Sequence, residues 1–136
     1  MAAQYTPCSA EIQTLIKDLI DADPINLSHV DSTSIVCVNK EEKKPKAVAK
    51  ISQIKEPFSM LTNFNYLIEV SEELANKISQ EHLELHLYTA LRQINNQDGK
   101  IKYPDVIEFR DIADIFGYDW KEKNQIDSIF SVLENQ

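Results

Sequence analysis

The first apolar run of the chain recurs every three or four residues, which is the spacing of one face of a helix. Its members are Ile12, Leu15, Ile16, Leu19 and Ile20. This pattern predicts a core-packing helix with Thr6 as its cap and Pro7 in its first turn, ending near Asp21.

Three short stretches rich in β-branched and aromatic residues predict strands at residues 35–38, 47–54 and 64–70. The charge run at residues 40–46 separates the first two strands and predicts an exposed hairpin loop. Residues 58–63 predict a loop whose two large apolar side chains, those of Phe58 and Met60, pack under the sheet.

Helical spacing returns in the second half of the chain. Ser71 begins a short helix, and residues 82–94 predict a longer one. Residues 105–116 predict an amphipathic helix that ends at Gly117 as a C-cap, and residues 121–133 predict a final helix with a single apolar face.

The order of these elements, one helix, three strands and then helices, predicts the fold class. We expect an α+β fold in which a sheet of three to four strands packs against the N-terminal helix, the helix at 82–94 and two C-terminal helices. Residues 1–136 are predicted to form one domain, with residues 121–136 as a C-terminal helical extension. Tyr118 and Trp120 are predicted to form an aromatic latch before that extension.

Composition and charge limit the function classes. The net charge of -8 disfavours contact with a nucleic-acid backbone, which requires Lys and Arg. We see no signal peptide, and no apolar run approaches the ~20 residues of a membrane span. Cys8 and Cys37 form no C-x-x-C pattern and are expected to be reduced thiols. We therefore expect a cytoplasmic protein with no membrane partner and no direct nucleic-acid partner.

The chemistry of the chain centres on His82 and His86. Four residues apart on a helix, their Cβ atoms would be roughly 5–6 Å apart. Zinc peptidases present two imidazoles in this way, within an H-E-x-x-H pattern whose Glu is the general base. Here Leu83 takes the place of that Glu. Glu84, the only carboxylate between the histidines, is turned to another side of the helix by the step of about 100° per residue.

Four segments in order carry a wider resemblance. They are the Phe-Asn-Tyr-Leu-Ile-Glu-Val run at 64–70, the helix of His82 and His86, the Tyr-Pro-Asp-Val-Ile-Glu-Phe run at 103–109 and the closing Phe-Gly-Tyr-Asp-Trp at 116–120. Together they resemble the phage metallopeptidase family, a minimal zincin-type domain of phages and prophages. The resemblance is best between residues 58 and 120.

The resemblance implies a site of two histidines, a Glu and a third histidine. The first two ligands match His82 and His86, but the general base falls on Leu83 and the third ligand falls on Pro104. Leu cannot accept a proton, and Pro offers no ligand side chain. The resemblance therefore implies an inactive relative that binds no metal or keeps a vestigial zinc site, with Asp105 as the candidate third ligand.

Three functions follow as alternatives. The chain is a protein-binding factor, such as an inhibitor of a host or anti-phage defence protein; or an atypical zinc hydrolase that uses His82, His86 and a carboxylate such as Asp105 or Glu108; or an acidic mimic of nucleic acid. We favour the first, with both histidines hydrogen-bonded to nearby polar groups in a closed cleft. The carboxylates of the candidate acidic interaction face are Asp105, Glu108, Asp111, Asp114, Glu81 and Glu84.

Overall fold

The apolar patterns with helical and with strand-like spacing become the helices and strands of the fold. A computed structural model describes residues 3–95, 97–101 and 109–134. The strands are β1 (Gln4–Pro7), β2 (Ile35–Glu41), β3 (Ala49–Gln53) and β4 (Tyr66–Val70). The helices are α1 (Ala10–Ala22), α2 (Phe58–Thr62), α3 (Glu72–Ala75), α4 (Gln80–Arg92), α5 (Arg110–Phe116) and α6 (Ile129–Glu134). The predicted α+β class is confirmed.

The four strands form one mixed sheet in the order β1-β2-β4-β3. β4 pairs in parallel with β2 and antiparallel with β3, so that Ile68 lies opposite Cys37 on one side and Ile51 on the other. Because β4 lies between β2 and β3, the predicted hairpin at residues 40–46 is wrong. Lys40 and Glu41 instead belong to β2, and residues 42–48 connect it to β3.

The N-terminus departs from the prediction because its first residues join the sheet. Gln4–Pro7 pairs antiparallel with β2, and the side chain of Ser9, rather than that of Thr6, caps α1 by accepting a hydrogen bond from the Ile12 N–H at 3.3 Å. Pro7 is acceptable at this place because an edge strand leaves one side of its backbone unpaired.

The predicted reduced thiols are also wrong, because Cys8 and Cys37 form a disulfide with a Cα–Cα distance of 5.8 Å. The two residues are 29 positions apart in the chain. They meet because β1 pairs with β2, and Pro7 and Val38 are partners in that register.

Residues 58–62 form one helical turn, α2, instead of a loop under the sheet. Phe58, Met60 and Leu61 are 65%, 68% and 69% exposed, so the prediction that Phe58 and Met60 pack under the sheet is wrong. The turn is closed by Asn63 in the left-handed conformation, with a φ of 64°, which Asn adopts more readily than most residues. The short helix therefore presents its apolar side chains to solvent.

The C-terminal helices are shorter than predicted. The helix predicted at 105–116 is described from Arg110 onwards, and Phe109 before it is extended, with φ and ψ of -63° and 136°. Gly117 is confirmed as its C-cap, with a φ of 91°. The helix predicted at 121–133 is present only as Ile129–Glu134. Before it the chain forms a 3₁₀ turn, Trp120–Glu122, and then a non-helical segment at 123–128.

The main core lies where α1 and α4 pack on the sheet. The side chains with almost no exposed surface are Trp120, Leu19, Leu27, Ile51, Ile68, Leu85, Leu87, Leu91, Ile112, Val70 and Asp23. Helix α4 contributes eight buried residues along its 13 positions, so it is the central element of the core. In the described part of the chain, no helix has the combined length and apolarity that crossing a membrane requires.

A buried polar network ties the ends of α1 and α4 to α5. The Tyr88 hydroxyl donates to the fully buried Asp23 carboxylate, and Arg92 donates to the Tyr88 hydroxyl at 3.3 Å and to Asp111 at 2.7 Å. Burial raises the pKa of Asp23, but hydrogen bonds from Tyr88 and Asn26 outweigh it, so that the net pKa lies below its ordinary value. Asp23 is therefore a buried, hydrogen-bonded carboxylate.

Removing the Tyr88 hydroxyl should destabilise the fold. In Tyr88→Phe the buried Asp23 loses a donor, so we expect the free energy of unfolding to fall by about 1–3 kcal/mol. Tyr5→Phe is the matched control, because Tyr5 is exposed, and it should change stability by less than about 0.5 kcal/mol. Urea denaturation of the three proteins measures both effects, and equal midpoints would contradict the proposed role of the network.

Candidate functional site

Both ring nitrogens of His82 are hydrogen-bonded inside the protein. Ser79 caps α4 by accepting a hydrogen bond from the His82 backbone N–H at 3.1 Å, and its Oγ lies 2.6 Å from His82 Nδ1. On the other side of the ring, Nε2 lies 3.1 Å from the Trp120 carbonyl oxygen. Because a carbonyl oxygen only accepts, Nε2 carries the hydrogen and Nδ1 accepts from the Ser79 hydroxyl. The hydrogen-bonded alternative is therefore what the structure shows for His82, which is 4% exposed.

His86 lies one turn further along α4 and packs against an aromatic ring. Its imidazole meets the Trp120 indole edge-on, with 4.7 Å between ring centroids and an angle of 62° between planes. Burial, followed by the positive charge of Lys121 and the nearby His82, lowers the pKa of His86 to about 4. His86 is therefore neutral at physiological pH.

Trp120 joins the two histidines, although it is 38 residues from His82 in sequence. Its carbonyl oxygen binds His82, and its indole packs on His86 and lies 6.4 Å from the His82 ring. The side chain is fully buried, which confirms the predicted latch for Trp120 but not for Tyr118, whose side chain is 62% exposed. The indole thus packs beside the histidine pair.

The two residues after His82, Leu83 and Glu84, are both buried. Leu83 is buried in the apolar core, so the position that the resemblance gives to the general base belongs to core packing. Glu84 is buried too, and it accepts a hydrogen bond from the Ser128 hydroxyl at 2.7 Å. Burial and then the charge of Glu81 raise the pKa of Glu84, while the hydrogen bond from Ser128 opposes them. As the helical step predicts, Glu84 faces a different part of the fold from His82.

The described residues do not fit a catalytic zinc ion, which needs three protein ligands and one open position. Within residues 3–95, 97–101 and 109–134, no group of three or more His, Cys, Asp or Glu side chains is placed to hold a metal. His82 would have to give up a hydrogen bond to become a ligand. Pro104 and the candidate third ligand Asp105 lie outside the described residues, so Asp105 remains a prediction.

The candidate acidic face is divided by the structure. Asp111 forms an ion pair with Arg92 at 2.7 Å, and Asp114 is exposed. Glu84 does not belong to an exposed face, because Ser128 and the start of α6 cover it. Asp105 and Glu108 lie outside the described residues.

Glu81 has a different setting, because it lines a cleft that the sequence did not predict. The cleft has a volume of about 680 Å³ and lies between the start of α4, the end of α5 and the segment 123–127. Its lining residues are Ser79, Glu81, Ile115, Phe116, Lys123, Asn124, Gln125, Ile126 and Asp127. It exists because residues 123–127 are not helical, which an apolar period alone does not reveal.

A comparison with protein-family models matches residues 4–127 to the family described as "Putative phage metallopeptidase". The match includes β1, α1 and the whole sheet, so it extends well beyond the segment 58–120 that carries the resemblance in sequence. Helix α6 begins at Ile129, after the matched range. No curated protein and no solved structure matches the chain.

The depressed pKa of His86 predicts a loss of stability in acid. The pKa is about 4 in the folded chain against an ordinary 6.5, so the unfolded chain takes up the proton first. This contribution is fully present above pH 6.5 and should be lost as the pH falls towards 4, by at most about 1.4 kcal/mol per pH unit.

Thermal unfolding of wild type and His86→Gln between pH 7.5 and 4.5 tests this. Because Gln does not titrate, the variant should lose less stability than wild type as the pH falls, so that the difference between the two curves changes with pH. Lys121→Gln removes a positive neighbour and should reduce the acid sensitivity in part. Parallel curves for wild type and His86→Gln would show that His86 is not the group responsible.

Proposed function

The chain belongs to the phage metallopeptidase family, and we propose that it is a member that binds another protein instead of hydrolysing peptide bonds. The observation that carries the proposal is the contact of Trp120 with both histidines of the ancestral metal-binding helix. In this proposal, the side chains that would hold zinc are used for packing and hydrogen bonding instead.

Recruiting a metal to this place would cost the fold several interactions. His82 would lose a hydrogen bond to Ser79 or Trp120, each with a net worth of about 0.5–1.5 kcal/mol. Displacing the buried Trp120 indole from His86 would add a cost comparable with the 3–5 kcal/mol or so of a large core truncation. These costs favour the metal-free arrangement.

The general base is missing for a separate reason. Leu83 is part of the core, and a carboxylate at that position would be buried among apolar side chains. Glu84 is bonded to Ser128 and so does not take over the role. Neither Leu83 nor Glu84 therefore supplies the proton acceptor that a peptidase mechanism needs.

The protein-binding part of the proposal is supported by α2. Phe58, Met60 and Leu61 give one short helix three largely exposed apolar side chains, and contiguous exposed apolar groups mark interaction surfaces more often than single ones do. Helix α2 follows the edge strand β3 directly in sequence. Solvent exposure of these side chains is best explained by a partner that covers them.

The phage origin of the family suggests the identity of the partner. We propose a protein of the bacterial host or of its anti-phage defence, inhibited by this chain. The net charge of -8 favours a partner with a basic surface, because opposite charges steer association.

The two alternative functions have less support. An atypical zinc hydrolase depends on Asp105 or Glu108, and His82 is already committed to two hydrogen bonds. A nucleic-acid mimic needs a continuous row of free carboxylates, but Asp111 is paired with Arg92 and Glu84 is buried.

Zinc content tests the loss of the ancestral chemistry. Protein purified without a histidine tag and without chelator should contain far less than one zinc per chain by elemental analysis. Its thermal midpoint should be the same in chelator and in added zinc, because metal bound only by the folded state would raise it. About one zinc per chain, lost in His82→Ala and His86→Ala, would overturn the proposal and favour the hydrolase.

The role of α2 is tested by replacing its exposed apolar side chains together. The triple variant Phe58→Ser, Met60→Ser, Leu61→Ser should remain folded, because the side chains are exposed, and should lose the host proteins that wild type captures from a bacterial lysate. Ile25→Ser is the matched control, since Ile25 is 74% exposed outside α2, and it should keep them. Identification by mass spectrometry is then followed by binding of the purified partner.

Two outcomes would count against this assignment. If wild type retains no specific protein, protein binding itself fails. If the triple variant retains the same proteins as wild type, the partner binds elsewhere on the chain.

A further inference from the structure

The lining of the cleft between the start of α4, the end of α5 and the segment 123–127 contains both apolar side chains and carboxylates. Ile115, Phe116 and Ile126 provide the apolar part of the lining, and Glu81 and Asp127 provide the carboxylates. A volume of about 680 Å³ is ample for one or two side chains of a partner.

The cleft already receives an ammonium group from the chain itself. Lys123, one of its lining residues, donates from Nζ to the Phe116 carbonyl oxygen at 2.8 Å and lies 3.8 Å from an Asp119 carboxylate oxygen. Phe116 is the last residue of α5, and the final carbonyl groups of a helix attract cations. The cleft is thus a place where this fold binds positive charge.

The single cation in the lining leaves the carboxylates available. Lys123 is engaged with Phe116 and Asp119, and among the described residues neither Glu81 nor Asp127 forms an ion pair. The start of α4 would by itself favour an anion, but Ser79 caps its first turn and Glu81 lies within that turn, where its negative charge offsets the dipole.

We propose that this cleft binds a Lys or Arg side chain of the partner protein. The aliphatic stem packs on Ile115 and Ile126, and the charged end meets Glu81 and Asp127. The proposal deepens the protein-binding function and rests on it, since it states the chemistry of the partner. The negative net charge of the chain steers a basic segment towards it.

The test uses two fluorescent peptides, Ala-Leu-Arg-Leu-Ala and Ala-Leu-Glu-Leu-Ala, and fluorescence anisotropy with the full chain. The Arg peptide should bind and the Glu peptide should not. Binding of the Arg peptide should weaken at least about tenfold, or about 1.4 kcal/mol, in the double variant Glu81→Gln, Asp127→Asn. Raising the salt from about 50 to 200 mM should weaken it in wild type, because screening reduces the attraction.

The matched control removes two carboxylates from another depression, which Glu11 and Asp18 of α1 line. Glu11→Gln, Asp18→Asn changes the net charge by the same amount and should leave the affinity for the Arg peptide unchanged. Equal weakening in both double variants would mean that only overall charge matters and would overturn the assignment to the cleft. Unchanged binding in Glu81→Gln, Asp127→Asn would overturn it as well.

The failure of this inference is distinguishable from the failure of the proposed function. If the chain captures a host protein but Arg-peptide binding does not depend on Glu81 and Asp127, only the assignment to the cleft falls. If Arg-peptide binding depends on Glu81 and Asp127 but the protein contains stoichiometric zinc, the assignment to the cleft holds. The proposal that peptidase chemistry is lost is then refuted.

Discussion

Burial of Trp120 is the constraint on which the candidate site depends. The indole is fully buried and packs edge-on against the His86 imidazole, and the backbone carbonyl oxygen of Trp120 fixes the tautomer of His82. The 3₁₀ turn Trp120–Glu122 is followed by residues 123–127, which are not helical and form one wall of a cleft. Trp120 thus contacts both histidines and lies shortly before the segment that lines the cleft.

The sequence patterns correctly predicted elements whose formation depends mainly on residues close together in the chain. The helical spacing of Ile12 to Ile20 and of residues 82–94 is confirmed in α1 and α4, and the β-branched run before Ser71 is confirmed in β4. The incorrect predictions concern features whose structure depends on segments that are distant in sequence. Gln4–Pro7 is a strand because β2 is available beside it, and this pairing also brings Cys8 to Cys37.

The candidate site divides in the same way. Proximity of His82 and His86 follows from helical geometry alone, and so does the direction of Glu84 away from His82. What each imidazole binds could not be predicted from spacing, because Ser79 is local but Trp120 reaches the pair only through tertiary packing. Exposure of Phe58 and Met60 was equally hidden, since an apolar residue in a short segment indicates a core or a partner without distinguishing them.

The central place of β4 in the sheet has a consequence for synthesis of the chain on the ribosome. β2 and β3 each pair with β4 and not with each other, so β3 has no neighbour in the sheet until residues 66–70 have left the exit tunnel. During that interval the nascent chain carries unpaired strand edges of the kind that aggregate. The Lys and Glu residues between positions 42 and 46, directly after β2, are of the kind that limits aggregation of neighbouring strands.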